Sequence, residues 1–414
     1  MEIKAIKGVR DILPEEIPIW QWLEKIVREV FETSGYSEIK IPIIEYTNVF
    51  SRSIGETTDI VEKEMYTFLD KSGRSITLRP EGTAPVVRAY VEHKLYSSYL
   101  TKLYYIGPMF RYERPQSGRY REFYQIGAEA LGVDDPRIDA EIISMLNLLF
   151  ERLGVAGLKL QINSLGCKEC RKDYRDILIK FLSERLSLLC DDCNRRYQKN
   201  PLRTLDCKSE GCISATIDAP RMLDYLCKGC RDHFDAVKEY LNMLDIPFTI
   251  NPRIVRGLDY YTKTAFEILN DKLGAQNAVA AGGRYDGLVE DFGGPPTPGI
   301  GFGIGVERLV SLLQKDSTNS HPPEVFIASI GDAAAKLSLP MICRLRYEGV
   351  RAELGYKGSL KSQMRKADKS GAKYTIIIGD EEIARKKAIL RNMETKVQQE
   401  IALDDIIDII KGLC

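Results

Sequence analysis

Apolar residues near the N-terminus recur first with the period of a helix and then with the period of a strand. Residues 15–34 place apolar side chains on one helical face, and Gly35 follows them as a stop signal. Residues 39–46 then alternate briefly between apolar and polar positions, with Pro42 among them. Because proline cannot donate to a strand ladder, the pattern predicts a helix followed by an edge strand or by a contact between chains.

A second set of strand patterns surrounds a loop rich in arginine. Tyr104, Ile106, Met109 and Phe110 precede the loop, and Phe123, Gln125, Gly127 and Glu129 alternate after it. The loop itself carries Arg111, Glu113, Arg114, Gln116, Arg119 and Arg121 and contains Pro115 and Gly118. Guanidinium forks bind phosphate oxygens in pairs, and a carboxylate binds an ammonium group. We therefore predict that this hairpin holds a phosphate and an amine together.

The segments on either side of this hairpin predict the remaining framework of the first half. Residues 64–70 and 75–79 form a predicted hairpin, and residues 80–83 turn the chain into a helix. Glu81 at this turn has two interpretations, a carboxylate that stabilises the helix start through the dipole or a ligand-binding group. Further on, residues 135–154 predict a long amphipathic helix that begins at Asp135-Pro136.

Strand patterns resume after residue 247 and become rich in glycine. Residues 247–269 alternate, residues 278–294 are glycine-rich, and residues 299–314 run from a strand into a helix. Glycines occupy every second position from Gly299 to Gly305, so one face of this strand lacks side chains and can lie against a flat group. The segment lacks the spacing of a dinucleotide-binding loop, and the chain contains no P-loop motif.

Residues 167–240 differ from the rest of the chain by their charged helices and their cysteines. Eight cysteines fall in pairs here, at 167 and 170, 190 and 193, 207 and 212, and 227 and 230. Two pairs at such spacings can form a tetrahedral zinc site, and the candidates are Cys167, Cys170, Cys190 and Cys193. The other interpretation is a helical insertion with reduced thiols and no metal.

The C-terminal part predicts a small separate domain. Residues 315–323 have the composition of a linker. Beyond them, strand and helix patterns alternate, which is typical of an α/β domain with a mainly parallel core. Lysines and arginines between residues 357 and 373 cluster around one predicted helix, as either a solvated face or a surface that meets a phosphate backbone.

Composition adds few restrictions to this picture. With 414 residues, 44% hydrophobic and 29% charged, the chain has the size of two or three domains of an ordinary globular protein. Lysine plus arginine equal aspartate plus glutamate at 59 each, so any nucleic-acid surface must be a local patch. We find neither a signal peptide nor a long apolar run, and we expect a cytoplasmic protein without membrane association, whose cysteines are reduced or bind metal.

Four stretches resemble the signature blocks of one enzyme family. They read TLRPEGTAPVVRAY, FRYERPQSGRYREFYQIGAE, RGLDYYTKTAFEI and GIGFGIGVERL, and they resemble class II aminoacyl-tRNA synthetases in order and spacing. RGLDYY in particular is similar to the histidine-specific block of the histidyl-tRNA synthetase family. The resemblance covers essentially the whole chain and implies an α+β fold. It implies a class II catalytic domain on a mainly antiparallel sheet in residues 1–320, with a helical insertion at about 167–240, and an α/β anticodon-binding domain in residues 321–414.

The resemblance also implies roles for individual residues. Arg111 and Arg256 would be the catalytic residues, which approach the α-phosphate from opposite sides. The histidine-binding set would be Glu81, Gly82, Thr83, Arg111, Gln125, Glu129, Arg256, Tyr260 and Tyr261, with the glutamates on the amine and the tyrosines on the imidazole. The ATP-binding set would be Arg111, Glu113, Arg119, Phe123 and Arg308, with Phe123 and Arg308 on the two faces of the adenine. Arg114 and Gln116 would contact the tRNA acceptor stem.

The implied reaction uses L-histidine, ATP with Mg²⁺, and tRNA(His) as the acceptor. The family is homodimeric, and the unit in residues 15–46 matches its interface block. Family resemblance implies no required metal in the helical insertion, which weighs against zinc there without excluding it. Lys263 departs from the glycine of the family's YYTGT run, and we expect it to alter the rim of the site but not its polar floor.

Two other functions remain as alternatives. One is a catalytically inactive, synthetase-like regulatory subunit of ATP phosphoribosyltransferase in histidine biosynthesis. Such proteins lack the anticodon-binding domain and lose the arginine of the RGLDYY block, whereas this chain keeps Arg256, Arg111, Arg308 and a C-terminal domain. The other is a class II synthetase for a different amino acid, which Tyr260 and Tyr261 disfavour.

Overall fold

The structure of the protein is a computed structural model. It describes residues 3–55, 58, 60–115, 118–274, 277–313 and 322–413. The chain divides into two compact units, residues 1–318 and residues 319–414. Each unit has a hydrophobic core of its own.

The first unit alternates helices with short and long strands. Its strands are β1 (Ser37–Glu38), β2 (Ile44–Tyr46), β3 (Thr67–Leu69), β4 (Ser75–Leu78), β5 (Thr101–Phe110), β6 (Glu122–Leu131), β7 (Leu158–Ser164), β8 (Phe248–Ile250), β9 (Thr262–Asn270), β10 (Ala278–Arg284) and β11 (Gly299–Gly305). Its helices are α1 (Ile17–Thr33), α2 (Thr47–Ile54), α3 (Thr83–Glu92), α4 (Pro136–Arg152), α5 (Lys168–Ser183), α6 (Asp191–Arg196), α7 (Leu202–Leu205), α8 (Glu210–Ala215), α9 (Lys228–Met243), α10 (Leu288–Asp291) and α11 (Val306–Leu312). The predicted helices at 15–34 and 135–154 and the hairpin around the arginine loop are confirmed.

The main sheet has eight strands in the order β1-β5-β6-β11-β10-β9-β7-β8. Its inner pairs are antiparallel, and the edge pairs β1–β5 and β7–β8 are parallel. The prediction of an α+β fold on a mainly antiparallel sheet is therefore confirmed. Helices α1 and α4 pack on one face of the sheet through buried apolar side chains. Alternate residues of the same strands, among them Gln125 and Glu129 on β6, point to the other face.

A buried ion pair links the long helix α4 to strand β10. Arg284 is 0% exposed, and its Nε donates to the two carboxylate oxygens of Asp139 at 2.8 and 3.1 Å. Its other nitrogens donate to Asp286 and to the backbone oxygens of Val133 and Asp135. The guanidinium therefore replaces the water that it loses on burial with protein acceptors.

Arg284→Met should lower the free energy of unfolding by roughly 3–5 kcal/mol, because it leaves the buried Asp139 carboxylate with only the His233 imidazole, at 3.3 Å, as a side-chain partner. Urea unfolding followed by circular dichroism measures the change. Arg137→Met is the matched control, since Arg137 also pairs with an aspartate, Asp135, but its side chain is 72% exposed. The control should cost less than about 1 kcal/mol. Equal losses in the two variants would show that burial gives the Arg284 pair no special importance.

The helical insertion between β7 and β8 comprises α5 to α9 and has a separate core. Leucine, tyrosine and cysteine side chains fill this core, among them Tyr174 and Leu178 of α5. Arg253, just after β8, holds the insertion against the main sheet. Its two terminal nitrogens donate to the backbone oxygens of Thr216 and Leu205, both at 3.0 Å. The segment that leads to Arg256 is thus attached directly to the insertion.

A second, three-stranded sheet in the order β2-β4-β3 presents apolar side chains to the surface. Ile44 and Tyr46 on β2 are exposed, and so are Phe68 and Leu69 on β3. Strand β2 begins after Pro42, within the segment that the sequence predicted as an edge strand. Single exposed apolar residues are common on protein surfaces, but a group of large apolar side chains on one sheet is typical of a protein interface.

The second unit is a five-stranded sheet with helices. It contains β12 (Val325–Ile330), β13 (Ala352–Leu354), β14 (Tyr374–Gly379), β15 (Lys387–Asn392), β16 (Gln398–Ala402), α12 (Asp332–Tyr347), α13 (Leu360–Ser370), α14 (Asp380–Ala384) and α15 (Ile406–Leu413). The strand order is β13-β12-β14-β15-β16. The first three strands are parallel, whereas β14–β15 and β15–β16 are antiparallel.

The prediction of a mainly parallel core is therefore corrected to a mixed sheet. Strands β15 and β16 form a hairpin with many polar and exposed residues, so their sequence lacks the apolar run of a buried strand. Among the helices that the structure describes in either unit, none is long and apolar enough to cross a membrane.

Candidate active site

Two buried carboxylates from neighbouring elements form the polar floor of the site. Glu129 on β6 is completely buried, and its oxygens accept hydrogen bonds from the Thr83 hydroxyl at 2.6 Å and the Tyr285 hydroxyl at 2.5 Å. Glu81 accepts from the backbone N–H groups of Thr83 and Ala84 at 2.7 and 2.8 Å. Glu81 therefore caps helix α3, as the first of its two interpretations predicted, and the same helix start places Thr83 against Glu129.

Burial makes both carboxyl groups harder to ionise than exposed ones. Burial raises the pKa of Glu129 to about 8 and also raises the pKa of Glu81. In the part of the chain that the structure describes, neither carboxylate forms a salt bridge. A cationic ligand that bound beside them would favour the ionised form of both and supply the counter-charge.

Strand β11 leaves room for the polar side chains of β6. In the register of the two strands, Gly301 lies opposite Glu129 and Gly305 lies opposite Gln125. A Cβ on Gly301 would overlap the Glu129 carboxylate, and a Cβ on Gly303 would overlap the Gln125 amide. The prediction of a bare strand face is therefore corrected at Gly301, where the Glu129 carboxylate covers the strand, whereas Gly303 and Gly305 line a cavity beside Gln125.

The arginines of the hairpin loop line a cavity beside Gln125. The residues predicted to bind ATP, which are Arg111, Glu113, Arg119, Phe123 and Arg308, all line this cavity. Arg111 lies over the Phe123 ring at 5.3 Å, and its Nε donates to the backbone oxygen of Pro80 at 2.8 Å. Glu113 pairs with Arg119 and lies 3.9 Å from Arg111. The hairpin thus concentrates cationic and aromatic groups around one space.

Arg308 reaches the same cavity from helix α11. Its Nε donates to the backbone oxygen of Gly118 in the hairpin loop at 3.2 Å, and its Nη1 donates to that of Ala278 at 3.0 Å. Burial lowers the pKa of Arg308, and the neighbouring Arg119 and Arg111 lower it further. Burial also lowers the pKa of Arg111. An anionic ligand in this cavity would relieve the repulsion among the three guanidinium groups.

Arg256 and Tyr261 line a second cavity, which the helical insertion closes on its other side. The Nη1 of Arg256 donates to Glu267 at 2.7 Å, and the guanidinium lies 5.2 Å from the centre of the Tyr261 ring. The rings of Tyr260 and Tyr261 are 4.7 Å apart, and Tyr260 packs edge-on against Tyr285 at 5.8 Å. The RGLDYY segment therefore joins the site through Tyr285, which also binds Glu129.

Several buried polar atoms in this region lack a hydrogen-bond partner among the described residues. They are the hydroxyls of Tyr105 and Tyr260, the Oε1 of Gln125 and the Nε of Arg256. A buried polar atom without a partner costs roughly 1–3 kcal/mol, so native proteins contain few of them. Tyr105 and Tyr260 lie close to both buried carboxylates, and unpartnered hydroxyls in such a position are typical of a site that binds a polar ligand.

Two tyrosines of this site were not predicted from the sequence. Tyr105 is buried beneath the carboxylates, and a Cβ on Gly82 or Gly127 would overlap its ring. Tyr285 follows β10 and donates to Glu129. Gly82 thus contributes by admitting the Tyr105 ring. A signal for Tyr285 was present in the sequence, since it follows two glycines and an arginine at the end of a strand.

Lys263 has a left-handed backbone with φ of 43°, a conformation that favours glycine. Its Nζ pairs with Asp134 at 2.5 Å and with Asp286 at 3.0 Å. This left-handed backbone explains why a glycine is expected at position 263. The lysine side chain is directed to two aspartates, and it lines neither the Arg111 cavity nor the Arg256 cavity.

Lys263→Ala should destabilise the protein more than Lys263→Gly does, by about 1 kcal/mol, because alanine keeps the cost of the left-handed backbone and glycine removes it. The two variants lose the same ion pairs, so their difference isolates the backbone. Thermal unfolding of both variants measures it. An alanine variant as stable as the glycine variant would show that φ at this position carries no cost.

The remaining predicted residues fall into three cases. Arg114 is exposed in the hairpin loop, and Gln116 lies outside the described residues. The candidate quartet of Cys167, Cys170, Cys190 and Cys193 is corrected, because the structure places its two pairs in different groups of cysteines. The reason is helix α5, whose 16 residues carry the chain about 24 Å away from the first pair before the second pair begins.

Comparisons with known proteins agree over nearly the whole chain. Residues 8–309 match the family model described as histidyl-tRNA synthetase, and residues 324–413 match that of an anticodon binding domain. A protein of Syntrophotalea carbinolica named histidine–tRNA ligase is 55% identical over 98% of this chain and 97% of its own length. A protein of Geobacter sulfurreducens with the same name is 57% identical over 97% of each chain.

Solved structures give the same result. The crystal structure of histidyl-tRNA synthetase from S. aureus is 39% identical, covers 99% of this chain and 100% of its own, and superposes with a TM-score of 0.82. A histidyl-tRNA synthetase from Nostoc sp. PCC 7120, at 21% identity and a TM-score of 0.65, shares the fold. On these matches and on the arrangement of its carboxylates and arginines, the chain belongs to the histidyl-tRNA synthetase family.

Proposed function

We propose that this protein is a histidine–tRNA ligase. It joins L-histidine to the α-phosphate of ATP, releases pyrophosphate, and then transfers the histidyl group to the 3' end of tRNA(His). The observation that carries the proposal is Glu129, a fully buried carboxylate with two hydroxyl donors and no salt bridge within the described residues. A buried acid in this state ionises when a cationic ligand binds beside it and forms a charge-assisted hydrogen bond, and the α-ammonium group of an amino acid is such a ligand.

The amino acid would bind between the carboxylates and the tyrosines. Glu81, Glu129 and Thr83 surround the position of the ammonium group, and Gln125 adds its unpartnered Oε1. The imidazole would lie against Tyr260 and Tyr261, where hydroxyl groups satisfy both ring nitrogens. A site that hydrogen-bonds the polar atoms of its substrate rejects analogues that lack them by factors of about 10⁴ or more. Such a site explains selectivity for histidine without an editing reaction.

ATP would occupy the cavity of the hairpin loop. Arg111 is placed to bind the α-phosphate and the amino-acid carboxylate, while Phe123 and Arg308 would enclose the adenine. Arg119 and Glu113 line the same space. Since Arg111 already lies over Phe123, the adenine can stack on that ring only if the guanidinium moves aside, so we expect ATP binding to include a movement of Arg111.

The carboxylates of this cavity suit a magnesium ion that accompanies ATP. Glu113 and Glu307 both line it, and carboxylate oxygens are the ligands that Mg²⁺ prefers. When bound, the ion would neutralise part of the charge on the phosphate oxygens. Both carboxylates have protein partners, Arg119 for Glu113 and the backbone N–H of Tyr124 for Glu307, which hold them toward the cavity.

The chemical step itself asks the protein for alignment and charge. The histidine carboxylate attacks the α-phosphorus in line with the leaving pyrophosphate, and negative charge builds up on the equatorial oxygens. Arg111 and Arg256 would stabilise that charge from opposite sides. Arg256 is suited to this role because its Nη1 is held by Glu267, while its buried Nε has no hydrogen-bond partner among the residues that the structure describes.

Two surfaces would contact tRNA. The second unit, which matches an anticodon-binding model, presents a helix, α13, with lysines and arginines along it. Arg114, exposed in the hairpin loop, would contact the acceptor stem. The loop that binds ATP would then also position the 3' end that accepts histidine.

We further propose a homodimer, which the exposed apolar residues of the three-stranded sheet support. Ile44, Tyr46, Phe68 and Leu69 are exposed on this sheet. Burial in a symmetric interface would remove them from water and fits the predicted interface segment at 15–46. Size-exclusion chromatography with light scattering tests this, and a monomer at working concentration would contradict it.

The alternative of a regulatory subunit is less well supported. A structure titled ATP phosphoribosyltransferase regulatory subunit/histidyl-tRNA synthetase, from Bacillus halodurans, is 22% identical and shares the fold with a TM-score of 0.65. Relatives named histidine–tRNA ligase exceed 50% identity over nearly the full length. This chain also keeps Arg111, Arg256 and Arg308 in the site and has the second unit.

ATP–pyrophosphate exchange with each of the twenty amino acids tests the proposed function. Exchange should depend on histidine and be close to background with the others. Charging of a tRNA(His) transcript then tests the second step. No exchange with histidine would refute the ligase, and exchange with a different amino acid would favour another class II synthetase.

A further inference from the structure

The helical insertion holds two groups of cysteines that have no role in the proposed function. The outer group is Cys167, Cys170, Cys227 and Cys230, and the inner group is Cys190, Cys193, Cys207 and Cys212. Within each group, the four Sγ atoms all lie within 4.8 Å of one another. The inner group lies between the two halves of the outer group along the chain. Each group therefore closes a loop of the insertion, one inside the other.

The distances within each group fit a single four-coordinate ion. Zinc binds thiolates at about 2.3 Å, and a tetrahedron with that radius has sulfurs about 3.8 Å apart. The Sγ atoms of Cys167 and Cys170 are 3.5 Å apart, and those of Cys190 and Cys207 are 3.8 Å apart. These separations are far longer than a disulfide bond, and all eight cysteines are unbridged.

A backbone hydrogen bond to sulfur recurs in both groups. In the outer group, the N–H of Cys227 donates to the Sγ of Cys170 at 3.1 Å. In the inner group, the N–H of Cys190 donates to the Sγ of Cys212, also at 3.1 Å. In each case, a residue of one pair donates to the sulfur of the other pair. Such donors stabilise a thiolate, which is the form of cysteine that binds metal.

Apolar packing of reduced thiols explains only part of this arrangement. Cys170, Cys193, Cys212 and Cys230 are buried in the core of the insertion, as small apolar residues often are. Cys227, however, is exposed, and its Sγ still lies within 4.8 Å of the three other sulfurs of its group. Packing gives an exposed cysteine no reason to join such a group, whereas a metal ion does.

We propose that each group binds one structural zinc ion through four thiolates. Four sulfur ligands leave no open position, so both sites would be structural and not catalytic. An iron–sulfur cluster fits less well, because its iron and sulfide atoms lie between the cysteines and would need the sulfurs further apart. The insertion needs such support, since helices α6, α7 and α8 have six residues or fewer.

The inner site would stabilise one wall of the Arg256 cavity. Asn200 and Leu202 lie within the inner loop and line that cavity. Asn200 also donates to Asp259 at 2.9 Å, and the backbone oxygen of Leu205 accepts from Arg253. Through these two contacts, a metal ion in the insertion would fix both sides of the segment that carries Arg256. The zinc sites would then act on the active site by position alone.

Metal analysis of the full-length protein tests the proposal without relying on its activity. The chain is produced in medium that contains both zinc and iron and is purified with a reductant and without chelators. Emission spectrometry should find about two zinc ions per chain. Cys170→Ser and Cys193→Ser should each retain about one ion, because each removes a ligand of one site. Cys343→Ser is the matched control, since Cys343 is an exposed cysteine of the second unit, and it should retain both.

A second measurement covers the case in which the serine variants do not fold. Wild-type protein prepared with cobalt should show the visible absorption of tetrahedral cobalt bound to four thiolates, and zinc should abolish it. Less than ~0.2 zinc per chain, with the thiols shown to be reduced, would overturn the proposal. One ion per chain would overturn the two-site assignment, and iron in place of zinc would overturn the identity of the metal.

Discussion

Arg256→His should lower the rate of histidine-dependent ATP–pyrophosphate exchange by at least ~10²-fold, the size of loss expected when one charge-stabilising donor is removed from an active site. Arg256 is almost buried, its Nη1 is held by Glu267, and its Nε has no partner within the described part of the chain. A guanidinium in that state is oriented before any ligand binds, so its charge is available to the transition state without reorganisation. Histidine binding, measured by calorimetry, should change by less than about threefold, because the amine and imidazole contacts remain.

The control for this variant is Arg351→His. Arg351 also pairs with a glutamate, Glu324, but it belongs to the second unit and is half-exposed. Exchange should be unchanged in the control, and thermal unfolding should show that both variants fold. Equal losses of histidine affinity and exchange rate in Arg256→His would mean that Arg256 binds the ground state, and that its catalytic role is misassigned.

Glu129→Gln should weaken histidine binding by about 10²-fold, since removing one member of a buried charge pair usually costs at least that much. The hydroxyls of Thr83 and Tyr285 bind different carboxylate oxygens, so the amide keeps an acceptor oxygen for only one of them, and it cannot neutralise an ammonium group. Glu141→Gln is the matched control, because Glu141 also pairs with a cation, Lys102, and its side chain is 48% exposed. Calorimetric titration with histidine measures both variants.

Histidine binding to the wild-type protein should release protons during the same titration. The pKa of Glu129 is about 8 without a ligand, so the carboxyl is largely protonated at pH 7. An ammonium group beside it lowers that pKa, and binding therefore expels the proton. Up to one proton per site should be released at pH 7 and fewer at pH 8 and above, because the protonated fraction of Glu129 falls as pH rises through the pKa. Buffers with different ionisation enthalpies report this number.

The affinity for histidine should also depend on pH, because binding requires Glu129 to lose its proton. Histidine should bind more tightly as pH rises from 7 to 8, since less work is needed to ionise Glu129. Glu129→Gln should show neither the proton release nor this trend. If the Glu129→Gln variant released as many protons as the wild type, the proton would come from another group. Glu81 would be the next candidate, because burial raises its pKa too.

The sequence predicted those helices and strands whose apolar residues recur with a strong period, together with the site residues near the ends of these elements. Helices α1 and α4 and the hairpin of β5 and β6 have long apolar patterns with clear stop signals, and all of them formed as expected. Because the period of a strand fixes which residues share a face, Gln125 and Glu129 were predicted to lie together. The structure confirms that juxtaposition.

What the sequence did not predict depends on contacts between distant segments. Cys167 and Cys227 meet because helices α5 and α9 begin side by side, and no local pattern records which pairs of cysteines meet. Tyr105 and Tyr285 join the site for a similar reason, since the sheet order places β5 beside β6, which carries Glu129, and places the end of β10 two strands away from β6. The polar hairpin of β15 and β16 was missed because pairing with β14 stabilises it where its own pattern does not.

The alternating glycines of β11 restrict the order in which mutations can accumulate in this site. Glu129 and Gln125 occupy the volume that a Cβ would need at Gly301 and Gly303. A larger residue at Gly301 fits only after Glu129 has been replaced by a smaller residue, while a smaller residue at position 129 creates no overlap with Gly301. Mutations in the two strands therefore have a permitted order, in which a change on β6 at Glu129 must come before a larger residue on β11 at Gly301.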